Sequence, residues 1–205
     1  MNCFLITTYN RPESCQRLVD SLRGLGDIYV VNDGCDYVIK GCTQYFQKPN
    51  LGKKGYWETV NRLFKMKGLH EYYFMLPDDF LPTDNMVIRA IELWQNINDP
   101  RKICLNLDGD RQGVACWTNF QPIDKGDVWL TQWVDMCFMC KDMFFRALKL
   151  IPKRFPVASR SSGVGAYISR KLYNQKYNLY QVKEALAVPQ PEHSKSQMNP
   201  CVQHT

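Results

Sequence analysis

Two adjacent carboxylates, Asp78 and Asp79, follow the apolar run Tyr72-Tyr73-Phe74-Met75-Leu76 with only Pro77 between. Neighbouring acids at the end of a buried strand repel each other and lose hydration, so they need a cation or a set of hydrogen-bond donors. Mg2+ or Mn2+ is one such partner, because it takes one or two carboxylates and completes its shell with phosphate oxygens. Capping of the next helix is the other, since Asp is favoured at helix N-termini. Three more polar stretches could serve the same ligand: Thr7-Thr8-Tyr9-Asn10-Arg11, Asn32-Asp33-Gly34, and Gly52-Lys53-Lys54-Gly55. Asp33 could accept from a base imide N–H, Gly52 lets backbone approach a ligand, and Lys53 or Lys54 offers point charge to phosphate. Gly-Lys-Lys-Gly is no Walker loop. Each stretch alone is also ordinary turn chemistry.

The elements that must position these residues alternate in the first half of the chain, as βαβα units with a parallel sheet do. Cys3 to Ile6 reads as a first strand, followed by a helix that starts at Pro12 and ends near Gly24 or Gly26. Ile28 to Val31 is a second strand and Tyr45-Phe46 a short third. A helix from about Tyr56 to Met66, a central strand Tyr72 to Leu76, a helix from about Asn85 to Ile97 and a strand Ile103 to Leu107 follow. The pattern loosens beyond Gly109: a strand at Val134 to Met139, a helix from about Lys141 to Leu150, a helix opened by Arg160 to Gly165 and running toward Tyr173, and a last strand between Tyr180 and Val188. Ligands of open parallel sheets bind outside the carboxyl ends of the strands, which is where the polar stretches fall.

With 205 residues, 45% hydrophobic and 22% charged, the chain is of a size and composition to fold as one domain. Its apolar runs are too short to cross a bilayer, and Met1 to Ile6 lacks the basic region and cleavage site of a signal peptide, so a cytoplasmic location is expected. Nine cysteines are an odd number, and Cys3, Cys104, Cys137 and Cys140 lie in apolar runs, which reads as reduced core thiols. The Cys137/Cys140 pair lacks a second ligand pair at zinc-site spacing. Charge is uneven: residues 1–135 carry 15 Lys/Arg against 17 Asp/Glu, and residues 136–205 carry 11 against 3. The basic C-terminal third fits a polyanionic partner, a phosphate-rich ligand or a solvated surface.

Taken in order, Phe4-Leu5-Ile6-Thr7-Thr8-Tyr9-Asn10-Arg11-Pro12, Val30-Val31-Asn32-Asp33-Gly34, Asn50-Leu51-Gly52 with Asn61 in its helix, and Leu76-Pro77-Asp78-Asp79 resemble the family 2 glycosyltransferases of GT-A fold. The resemblance implies a single α/β domain with a mostly parallel central sheet flanked by helices and mixed strand order in its C-terminal half. Residues 1–110 would form the nucleotide-sugar half and 111–205 the acceptor half. It also implies a UDP-sugar donor, whose base and ribose would fall by position on Thr7, Tyr9, Arg11 and Asp33; Thr8, Asn10, Gly34, Gly52, Lys53, Tyr56 and Asp78 are expected to line the same site. Asp79 would hold Mn2+ or Mg2+. The family's acidic triplet usually opens with an acid where this chain has Pro77, so Asp78 and Asp79 must share the metal and ribose duties.

A second likeness lies in Pro191 to Pro200, similar to the tail of small GT-A transferases in which a histidine folds onto the metal. It implies His193 as a second ligand, where a histidine in a polar tail is otherwise solvated. The family's acidic base at a helix start has no counterpart in Ser161-Ser162-Gly163-Val164-Gly165. Asp135 is the substitute expected to serve as base, with a structural Asp as the alternative. Arg154, Arg160, Ser161 and Ser162 could bind an acceptor carrying phosphate. A hydroxymethylated base of viral DNA is the acceptor named first. A cell-surface polysaccharide, a lipid-linked glycan or a protein is the alternative acceptor. A nucleic-acid-binding protein without turnover and a nucleotidyl transferase are the rival classes.

Overall fold

The computed structural model describes residues 1–109, 120–134, 136–153 and 163–190. Strand β1 (Asn2–Thr8), helix α1 (Pro12–Ser21), β2 (Gly26–Asp33), β3 (Thr43–Gln47), α2 (Gly52–Met66) and β4 (Tyr72–Pro77) build the first half. They are followed by β5 (Phe80–Pro82), α3 (Met86–Asn96), β6 (Lys102–Asn106), β7 (Ile123–Asp124), β8 (Val128–Thr131), β9 (Phe138–Cys140), α4 (Asp142–Leu148), α5 (Val164–Asn174), β10 (Asn178–Val182) and β11 (Ala187–Pro189).

Nine of these strands form one sheet in the order β3-β2-β1-β4-β9-β6-β10-β8-β7, and β11 pairs with β5 in a separate two-stranded ribbon. The half from β3 to β4 is parallel throughout. β9 enters antiparallel between β4 and β6, and β10 lies parallel to β6 but antiparallel to β8. The expected mixed order in the C-terminal half is therefore present, and the whole is a single α/β domain.

Period-two alternation splits each central strand between two cores. Phe4, Ile6, Val30, Phe74 and Leu76 pack against Cys15 and Leu18 of α1, Leu22 just after it, and Ala90, Leu93 and Trp94 of α3. Leu5, Val31, Tyr73 and Met75 face α2, α4 and α5 through Val60, Leu63, Phe144, Leu148, Ile168 and Leu172. Helices on both faces explain why the strands read as continuous apolar runs.

Four elements depart most from the sequence expectation. Helix α2 begins at Gly52, so Gly52-Lys53-Lys54-Gly55 is its first turn and not a loop before it: Gly55 N–H already bonds the Leu51 carbonyl at 3.1 Å. Helix α1 stops at Ser21, where Leu22 takes up the end of the turn. The strand expected over Val134 to Met139 is confined to Phe138–Cys140, because only there do β4 and β6 offer pairing on both sides. The single last strand is two strands in different sheets, β10 beside β6 and β11 beside β5.

The cysteine reading agrees with the packing. Cys3, Cys15, Cys104, Cys137 and Cys140 are buried free thiols. Burial pushes those of Cys3 and Cys15 up to about 12. Cys137 and Cys140 belong to the cores on opposite faces of the sheet, so the pair does not converge on one metal. Among the described residues, no helix is long and apolar enough to cross a membrane.

Candidate active site

The parallel register brings the polar strand ends together. Thr7 of β1 lies level with Pro77 of β4, and Thr8 lies level with Asn32 of β2. Thr8 and Asn32 thus stand level at the ends of β1 and β2, Asp78 follows one residue after β4, and Asp33 stands one residue beyond Asn32.

Asp78 and Asp79 are both mostly buried, with side-chain exposures of 7% and 11%. One guanidinium nitrogen of Arg11 lies 2.9 Å from an oxygen of each, so the two carboxylates face a common point. Thr8 Oγ1 donates to the other oxygen of Asp78 at 2.7 Å, and the Tyr9 N–H adds a further bond to the same carboxylate. Since the Thr8 proton is committed to Asp78, Tyr37 must donate to Thr8 Oγ1 across their 2.6 Å contact, and the Arg11 N–H in turn donates to the Tyr37 hydroxyl at 3.3 Å. Burial raises the Asp78 pKa from 3.8 to about 6 against the lowering pull of Arg11 and Thr8, and the neighbouring Asp79 adds to the rise.

Asp33 ends β2 at the same end of the sheet. Its carboxylate accepts the Leu51 N–H at 3.1 Å at the start of α2, and its carbonyl accepts from Asn50 Nδ2 at 2.8 Å. Burial raises its pKa, and that hydrogen bond from Leu51 opposes the rise. Gly34 is required here: at φ +91° a Cβ would stand 2.3 Å from Asn50 Cβ. Tyr56, in the second turn of α2, reaches back to share a 3.0 Å hydrogen bond with Thr7.

Of the residues predicted to meet the donor, Thr7, Thr8, Arg11, Asp33, Gly34, Tyr56, Asp78 and Asp79 line or support this one end of the sheet. Tyr9 and Asn10 are exposed beside it, Asn10 at φ +52°. Gly52 and Lys53 are exposed on the first turn of α2. Arg11, expected on the donor, spans the acids. Tyr37, in the irregular segment after β2, was not predicted, and no sequence pattern marks it. Asp135, Arg154, Arg160, Ser161, Ser162 and His193 lie outside the described residues.

The point on which the two acids converge is held by the Arg11 guanidinium. Two carboxylates aimed at one point are a hard oxygen donor set, and among the described residues no third His, Cys, Asp or Glu joins them. A set of two suits Mg2+ or Mn2+ drawing its remaining ligands from diphosphate and water.

No family model and no curated protein matches the sequence. Solved structures do match the fold. A crystal structure of GalNAc-T7 with UDP, GalNAc and Mn2+ superposes with a TM-score of 0.68 at 14% identity, over 92% of this chain and 43% of the other. Residues 1–349 of S. aureus TarS give 0.62 at 13% identity, over 95% and 62%. A mycobacterial protein gives 0.62 at 11%, over 93% and 67%. This chain thus spans between about two fifths and two thirds of the length of the structures it matches. The architecture it shares with them is the GT-A-like α/β domain.

Proposed function

We propose that the chain transfers a sugar from a nucleoside diphosphate sugar, UDP-sugars first, to an acceptor hydroxyl. The observation that carries this reading is the convergence of Asp78 and Asp79 on one point just past the carboxyl end of β4, at the same end of the sheet as Asp33 of β2. The fold adds weight, because a matching structure holds UDP, GalNAc and Mn2+ in the same architecture.

In this reading Asp33 and the backbone around Gly34 receive the base, Asp78 the ribose side, and Asp79 with Asp78 the cation. A bound Mn2+ or Mg2+ supplies charge neutralisation of the departing diphosphate. The protein supplies the rest by preorganisation. Thr8, held by Tyr37, keeps Asp78 oriented, and Arg11 satisfies both acids where no metal cation stands between them. Lys53 and Lys54, exposed on the first turn of α2, offer positive charge to phosphate. His193 as a second cation ligand, on the strength of the sequence resemblance, and Asp135 as base, in place of the acid that the resemblance does not supply, complete the proposal.

For the acceptor, the basic balance of residues 136–205, with Arg154, Arg160, Ser161 and Ser162 among them, supports a phosphate-bearing partner such as hydroxymethylated DNA. Acceptor binding that weakens steeply with salt favours DNA, whereas a glycan or protein hydroxyl gives a shallow dependence.

Turnover tests the reading. UDP release from a UDP-sugar should require Mn2+ or Mg2+, and Asp79→Asn should lower it at least a hundredfold, on the order of the loss when a transition-state charge partner is removed. Equal release by wild type and variant contradicts it.

A further inference from the structure

One fully enclosed polar side chain has no part in the site as described. Gln190 stands directly after β11, only 2% exposed. Its amide nitrogen donates to the carbonyl of Asp78 at 2.9 Å, to that of Ser14 at 3.1 Å and, at the long distance of 3.4 Å, to that of Phe80. Its amide oxygen accepts from Arg17 Nε at 2.9 Å. Its own N–H donates to the Asp79 carbonyl at 2.7 Å. A single residue therefore holds the main-chain carbonyls of both acids.

The antiparallel pairing of Pro189 with Phe80 already keeps β11 alongside β5. The side-chain bonds do something else. Ser14 and Arg17 belong to α1, whose first residue follows Arg11. The Gln190 amide thus ties the start of α1 to the acid segment and keeps Arg11 opposite the carboxylates. Two buried like charges on adjacent residues repel each other, and a main chain held at both carbonyls limits how far the segment can shift to part them. A neutral amide suits the position, since a cationic side chain would compete with a metal and an acidic one would repel the carbonyls.

We infer that Gln190 is a positioning residue for the Asp78–Asp79 site: by fixing the backbone of both acids it sets the direction in which their carboxylates converge. The inference rests on the cation–diphosphate reading above. It assigns Gln190 a contribution to affinity for the ion, beyond anchoring a strand.

The test is Mn2+ binding in the presence of UDP, followed by the loss of the free-ion electron paramagnetic resonance signal. It is run on the full chain well below the melting temperature of each variant. Gln190→Met keeps the length and apolar volume but removes the hydrogen bonds, and should bind Mn2+ about tenfold more weakly, the usual cost of losing an outer support of a metal ligand. Gln190→Glu keeps the acceptor for Arg17 but loses the amide donor, and should weaken binding in the same direction. A lower melting temperature with Mn2+ affinity within about twofold of wild type in both variants, on the same scale, overturns the inference and leaves the proposed function standing. Absence of Mn2+ uptake by the wild-type chain overturns both. Should Gln190→Met fail to fold, Arg17→Gln removes the partner of the amide oxygen, and an unchanged affinity there counts against the inference equally.

Discussion

The most informative single residue is Asp78. Its folded-state pKa of about 6 lies above the ordinary 3.8, because burial outweighs Arg11 and Thr8. Between those values the folded protein takes up a proton that the unfolded chain does not, so the penalty of keeping Asp78 charged is fully present above about pH 6 and is relieved as pH falls toward 4. Asp78→Asn, neutral at every pH, should therefore change the melting temperature more favourably relative to wild type at pH 7.5 than at pH 5 in metal-free buffer. A difference that does not vary with pH contradicts this account of the acid's environment. Asp78 and Asp79, with Thr8 and Arg11, were legible in the sequence because their types and their place after apolar runs are local facts. Tyr37 and Gln190 were not. Tyr37 acts through Thr8, 29 residues away, and Gln190 through a carbonyl 112 residues away, and neither distance leaves a trace in local pattern.

At the scale of elements, β1, β2 and β4 were readable because helices cover both faces of the sheet and force unbroken apolar runs. β5 and β7 were not, since three and two residues are too few for any periodicity to register and their partners define them. The start of α2 was misplaced for a reason of propensity: Gly52 and Gly55 disfavour a helix, and the contact that offsets this, the Asp33 carboxylate accepting the Leu51 N–H, comes from another strand. Asn61, noted in the sequence within this helix, makes a two-way clamp with Ile151, donating to its carbonyl at 2.8 Å and accepting from its N–H at 2.9 Å. Both groups are buried. Asn61→Ala leaves them without these partners and should cost about 3 kcal/mol in urea denaturation. A loss below about 1 kcal/mol would mean that the segment after α4 repairs the bonds by moving.

For the whole molecule, the parallel half of the sheet carries the candidate donor site, and the basic excess of the sequence falls in residues 136–205. The fold class and the side of the sheet that holds the site followed from alternation and from where polar stretches interrupt it. Strand order beyond β4 could not be read so, because β9 enters antiparallel from late in the chain, and nothing in its three residues names β4 and β6 as neighbours. The two buried acids that meet at Arg11 are the place where the proposed function stands or falls. Calorimetric titration of the chain with UDP, with and without Mn2+, measures this directly. The account predicts UDP binding at least tenfold tighter with Mn2+ than with chelator, and loss of that linkage in Asp79→Asn. UDP binding that is indifferent to Mn2+, or a linkage that survives Asp79→Asn, would contradict it.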